Sequence, residues 1–221
     1  MANLTQLKML EDLSGFLLVD KPAGLAFPTV VKTVKRKFNL VKVGHGGSLD
    51  AMASGLLVVI VGDANKFASD VMGADRAYTG TMKFGETTDT GDRYGRPIPL
   101  PSRLMKPSEA KGDLFQTEPR FCSVRREGSA QYDIADTGGH AQFLAHVYRF
   151  DVDGENFSLL ASKGVIVRAL AQDMGATLMS LRRTKVGALS VDDAVPFDRL
   201  LETGIADFAS LVVPTSRALA K

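Results

Sequence analysis

The chain has 221 residues, 45% of them apolar and 24% charged, with a formal net charge of +2. It reads as a soluble globular protein long enough for a proper core, and Lys plus Arg exceeds Asp plus Glu too narrowly for a global nucleic-acid signal, so any RNA surface must come from local clustering. One cysteine, Cys122, excludes an internal disulfide framework, the longest apolar run (Leu56 to Val61) is too short to cross a bilayer, and the N-terminus shows no secretion pattern, so a cytoplasmic protein without a membrane partner is expected.

In chain order, Gly15-Phe16-Leu17-Leu18-Val19-Asp20 reads as a short buried strand, stopped by the turn Lys21-Pro22-Ala23-Gly24. From Pro28 to Phe38, Val30, Val31, Val34 and Phe38 share one face at helical spacing. Lys32, Lys35, Arg36 and Lys37 lie largely elsewhere and read as a solvated face in preference to a phosphate site. Next comes Gly44-His45-Gly46-Gly47-Ser48-Leu49-Asp50, a glycine loop that presents one His and closes on one carboxylate. Glycines allow positive φ and close approach to a ligand, although Ser48 and Asp50 could equally be caps of an ordinary turn. The apolar run after it reads as a buried strand, and Gly62 opens a short helix to about Met72.

Arg76 to Gly85 alternates like a strand, in which Tyr78 by itself reads as a packed aromatic. The Thr88-Asp89-Thr90-x-Asp92 cluster lacks the spacing of a calcium loop and reads as a polar turn. Residues 97–112 read as a loop. His140 to Val152 and Phe157 to Ala161 predict two strands joined by a hairpin at Asp153-Gly154. His140 and His146 are six residues apart with no third ligand near, so no zinc site is expected. Ser162 to Gly175 predicts a strand end turning into an amphipathic helix, with Arg168 near its start against the helix dipole. Ser190 to Val195 is a capped helical turn, and Phe197 to Thr203 the last helix.

Four separated stretches resemble, in the same order, the TruB family of tRNA pseudouridine synthases. They are Asp20-Lys21-Pro22-x-Gly24; Gly44-His45-x-Gly47-x-Leu49-Asp50-x-x-Ala53-Ser54-Gly55; Gln116 to Gly128 with Tyr132 and Ala135; and Ser162-Lys163-Gly164-x-x-x-Arg168 followed by Leu181-Arg182-Arg183. Between the second and third, Tyr78 stands where the family has its active-site Tyr, and Gly85-x-x-Thr88-Asp89-Thr90-x-Asp92-x-x-Gly95 continues the resemblance. The chain departs from the family pattern at Gly46 (usually Thr), Glu118 (Pro), Phe121 (Tyr), Cys122 (Ser), Arg125 (Lys), Asp136 (Arg) and Ile166 (often Tyr). Cys122 has no His nearby and reads as a packed residue.

The resemblance implies an α+β fold, the pseudouridine synthase catalytic fold, with a mixed, mainly antiparallel sheet flanked by helices and loops. It implies a single catalytic domain over 1–221 with no PUA module. The reaction breaks the N1–C1′ bond of a uridine, turns the base and joins C5 to C1′, with no cofactor and no metal. Asp50 would be the catalytic carboxylate, Arg168 the cation that keeps it charged, Tyr78 the ring that stacks on uracil and Leu181 a wall of the pocket. His45 would fill the space left by a flipped base. Lys21, Arg125, Arg126, Arg182 and Arg183 are candidates for phosphate contact. The expected partner is the T-stem-loop of tRNA, modified at position 55 by a monomer. The alternatives are an RNA-folding helper with weak activity and the same chemistry on another RNA. A glycosidase would want a second paired acid, and none is nominated.

Overall fold

The computed structural model describes residues 12–117, 125–126, 129–130 and 142–218, and divides the chain into two compact units, 1–74 with 182–221, and 75–181. The first unit begins with β1 (Gly15–Lys21), buried along nearly its whole length. A strand covered on both faces has no need to alternate, which is why its sequence is a continuous apolar run. Pro28 sits in the first turn of α1 (Phe27–Lys37), where its missing N–H costs no helical bond, and Val30 and Val34 face the core. Lys32, Lys35 and Arg36 are exposed, as the helical spacing predicts. β2 (Val43–His45) and β3 (Ser54–Val61) pair antiparallel, with His45 opposite Val59, and β3 pairs antiparallel with the whole of β1. The helix expected from Gly62 to Met72 is instead a 3₁₀ segment, Gly62–Phe67, followed by α2 (Ala68–Gly73).

The second unit is built on β4 (Arg76–Phe84). The expected 97–112 loop holds only a short strand and a 3₁₀ turn: β5 (Thr87–Thr88) pairs with β6 (Pro97–Ile98), and Pro107–Ala110 is the turn. β7 (Gly112–Thr117) follows, and β8 (Arg125–Arg126) pairs with β9 (Ser129–Ala130). β10 (Gln142–Asp153) and β11 (Asn156–Ala161) form the expected hairpin, whose Gly154 takes φ 58°. α3 (Val167–Asp173) leads into β12 (Ala176–Val186). Within this unit the strand order is β12-β4-β11-β10-β7, and β4, β11, β10 and β7 pair antiparallel in turn.

From Arg182 onward β12 belongs to the first unit, where it runs parallel to β3 with Arg183 opposite Gly55. β13 (Leu189–Ser190) folds back on it. Ser190 caps the next 3₁₀ turn, Val191–Asp193, by accepting from the Asp192 N–H. β14 (Val195–Pro196) lies parallel to β1, α4 (Phe197–Glu202) follows, and the chain continues past that expected last helix into α5 (Ile205–Leu211), β15 (Val212–Val213) and α6 (Thr215–Ala218). The two faces of β1 and β3 carry separate cores. One packs Leu17, Leu57 and Val59 against Val34, Phe38, Leu200 and Phe208; the other packs Phe16, Leu56 and Ile60 against Val71, Val186 and Val191. No helix among the described residues is long and apolar enough to cross a membrane.

Candidate active site

In the first unit the elements converge on the Asp50 loop. β1 delivers Lys21 to the interior, wholly buried, and its ammonium donates to the carbonyls of Pro22 and Leu25 at 2.8 Å and of Ala51 at 3.4 Å. The Gly24 N–H also donates to the Ala51 carbonyl, at 2.7 Å. Burial pushes the Lys21 ammonium down from an ordinary 10.5 to about 8; the Asp50 charge opposes the shift and Arg183 reinforces it. Arg183, 1% exposed, donates from Nε to the Leu56 carbonyl at 2.8 Å, and from Nη1 and Nη2 to the carbonyls of Ser48 and Gly47 at 2.8 and 3.3 Å. Two buried cations therefore grip the backbone on either side of Asp50, itself half-buried.

Lys21 and Arg183 were expected to meet phosphates, and the structure corrects this. Both side chains are inside, and their N–H groups are spent on backbone carbonyls of the loop and its neighbours. Arg182 forms a two-pronged ion pair with Asp20, at 3.0 and 2.7 Å, on the partly exposed side. The side chains of Arg125 and Arg126 lie outside the described residues, as do Glu118, Phe121, Cys122, Tyr132, Ala135, Asp136 and His140.

His45 is half-buried, its ring edge-on to Phe27 with 4.9 Å between centroids. Its Nδ1 accepts from the Gly47 N–H at 3.3 Å, which places the proton of the neutral ring on Nε2. Gly47 takes φ 133°, outside the range of most side chains. Gly46 is close-packed, since a Cβ there would lie 2.3 Å from Val71 Cγ1. The family's Thr at this position is thus replaced by a glycine with no room to spare, so the loop is not slack.

In the second unit Tyr78 projects from β4 at 7% exposure, its backbone opposite Leu159 of β11, and Leu181 at the end of the unit's β12 segment is equally buried. Arg168 is the second residue of α3, 5% exposed, and its Nη1 donates to the Thr90 carbonyl at 2.8 Å. A cation in a first helical turn opposes the helix dipole, and that carbonyl offsets part of the penalty. Gln116 is a positioning residue that sequence reasoning missed. Buried at 1% exposure, its Oε1 accepts from the Ile166 N–H at 2.9 Å while its Nε2 donates to the Ile166 carbonyl at 3.1 Å. It therefore fixes the residue that starts the Arg168 helix. Its place at the head of the Gln116 to Gly128 motif was the available signal.

The fold, a mixed and mainly antiparallel sheet with helices, is of the pseudouridine synthase class. The chain superposes on a Cbf5-Nop10-Gar1 complex with TM-score 0.64 at 21% identity, covering 96% of this chain and 63% of that one. It superposes on the archaeal box H/ACA sRNP Nop10-Cbf5 complex with TM-score 0.59 at 24% identity, covering 88% and 55%. It thus spans less than two thirds of each of those solved chains. Residues 35–153 match the model of the TruB family pseudouridylate synthase N-terminal domain. The chain is 33% identical to tRNA pseudouridine synthase B of Burkholderia lata, over 94% of this chain and 71% of that protein. It is also 33% identical to the protein of the same name in Bordetella avium, over 86% and 88%. The chain belongs to the TruB family of pseudouridylate synthases.

Proposed function

We propose that this chain isomerises uridine to pseudouridine at position 55 in the T-loop of tRNA, with Asp50 as the carboxylate that acts at the sugar. The observation that carries the assignment is the grip on Asp50's loop: Arg183 on the carbonyls of Gly47 and Ser48, Lys21 on that of Ala51. A reacting group must be held to within about 0.5 Å, and a mere turn needs no such pair of buried cations. The step cleaves N1–C1′, keeps the base bound while it turns, and forms C5–C1′; C5 then gives up its proton and N1 ends protonated, so atoms and charge balance with no cofactor. Tyr78, Arg168 and Leu181 carry the roles that the family resemblance gives them. The target base leaves its stack at a cost of about a few kcal/mol, and His45, braced by Phe27, is suited to fill the gap. Arg182 remains a candidate for RNA contact through its exposed edge.

The substrate element is the T-stem-loop, the working form a monomeric single catalytic domain, and the place of action the cytoplasm. The test incubates the purified chain and its Asp50→Ala variant with unmodified tRNA transcript and maps pseudouridine by a base-specific chemical reaction. The expected result is one modified T-loop uridine with wild type and none with the variant. Absence of product from wild type, with tRNA binding intact, would overturn the assignment and leave an RNA-folding helper.

A further inference from the structure

The turn that receives the Arg168 guanidinium is held by a dense set of hydrogen bonds. Thr88 Oγ1 donates to the Asp92 carbonyl at 2.7 Å, and the Asp92 carboxylate accepts from Thr90 Oγ1 at 2.9 Å and from the Tyr94 N–H at 3.0 Å. The Arg96 N–H donates to Asp89 Oδ1 at 2.8 Å, and the Arg93 N–H donates to the Leu178 carbonyl at 3.1 Å. Arg168 and Gln172 of α3 tie down the carbonyls of Thr90 and Thr88 at 2.8 and 2.7 Å. Thr88, Asp89, Thr90, Gly91, Asp92 and Gly95 make this turn; the side chains of Arg93, Tyr94 and Arg96 do not. Tyr94 is 65% exposed, with the Arg93 guanidinium 5.0 Å from its ring centroid and donating to its hydroxyl at 2.9 Å. Arg96 is also exposed, and among the described residues neither arginine is paired with a carboxylate.

We propose that residues 89–96 form an RNA-docking turn, where Tyr94 stacks on an unpaired base and Arg93 and Arg96 take phosphates outside the reacting nucleotide. An aromatic ring backed by a guanidinium is a stacking platform for any base, and stacking is tolerant of sequence. Two arginines beside it supply the charge complementary to a phosphate backbone. The turn is already ordered, so docking costs little conformational entropy. Its tie to the helix of Arg168 makes it a fixed landmark relative to that residue. The inference rests on the reading of the chain as an enzyme of RNA, and it adds a contact through Arg93, Tyr94 and Arg96, positions that the resemblance leaves open.

The test uses the intact chain and unmodified tRNA transcript, with binding measured between 50 and 200 mM salt (a range of about the usual span for such titrations) and pseudouridine formation measured at saturating tRNA. Tyr94→Ala is expected to weaken binding about tenfold, or about 1.4 kcal/mol, and Tyr94→Phe to stay within about twofold, since the ring is kept. Arg96→Ala should make the slope of log K against log salt shallower by about 0.7 to 0.9. All three should keep the maximal rate within about twofold, because the turn's own bonds survive. Unchanged binding in Tyr94→Ala and an unchanged slope in Arg96→Ala, beside a wild type that makes pseudouridine, would overturn this proposal alone. So would a fall in maximal rate with affinity intact, which would mean a distorted Arg168 helix. A wild type that neither binds nor modifies tRNA overturns both this and the enzymatic reading.

Discussion

Lys21 places an ammonium group inside the first unit with three backbone carbonyls to satisfy, those of Pro22, Leu25 and Ala51. Burial, partly opposed by Asp50, holds its pKa at about 8 against an ordinary 10.5. Between those values the unfolded chain binds more protons than the native one, so stability rises with pH from about 8 to 10.5. Activity should move the other way. A neutral amine has two donors for three carbonyls and no charge beside Asp50, so the maximal rate should fall about tenfold through an inflection near pH 8 and then level off. A pH–rate profile checks this, and Lys21→Met should already sit on the low plateau with no inflection near 8. A wild-type rate that stays flat from pH 7 to 9.5 (about the window in which the group titrates) would remove Lys21 from the positioning of Asp50. The motif Asp20-Lys21-Pro22 was legible in the sequence, but its use was not. A lysine or arginine letter states a charge; whether that charge meets water or a buried carbonyl depends on elements that arrive from the other end of the chain, as Arg183 does.

At the scale of elements, β3 tests how closely the backbone has been fitted around that loop. Gly55 takes φ 99°, and a Cβ there would lie 2.3 Å from the Arg183 carbonyl oxygen on the neighbouring strand. Gly24 takes a similar φ of 86° with nothing within 4 Å of a Cβ. Alanine at Gly24 should therefore cost about 1 to 2 kcal/mol, the backbone penalty alone. Alanine at Gly55 must also part β3 from β12, and is expected to cost more than about 4 kcal/mol. Urea denaturation of the two variants decides it; equal losses would mean that β3 and β12 have slack. The strands β1, β4 and β10–β11 were readable because their apolar runs and alternation are local properties. The helices α5 and α6 were not: α5, Ile205–Leu211, follows α4 after two residues, and although Ile205 and Leu211 pack beside the buried Phe208, seven residues are too short a window for the helical period to stand out.

Over the whole molecule, the first strand is completed by the last elements of the chain. One edge of β1 pairs along its length with β3; on the other, Val19 and Asp20 meet β14 while Phe16 and Leu17 meet β15. The same tail supplies Phe197, Leu200, Phe208 and Val212 to one core face, and Phe208 stacks on Phe38 with centroids 3.8 Å apart. The first unit thus cannot close until the chain is made as far as Val213, and pairing at such separation is slow to form. Loop-closure entropy grows only logarithmically with length, so the arrangement can be stable once closed. Cutting the chain after Ser190 should remove those four core side chains and Val191 from the other face, and expose an apolar strand edge, which is a template for aggregation. The expected outcome is loss of the cooperative thermal transition and light scattering at micromolar protein. Phe208→Ala, a milder form of the same lesion, should fold and lose about 3 to 5 kcal/mol in urea. If the truncated chain melted cooperatively within a few degrees of the intact one, β14 and β15 would be ornaments on a unit that closes without them, and the grip of β12 on the Asp50 loop would not depend on the tail.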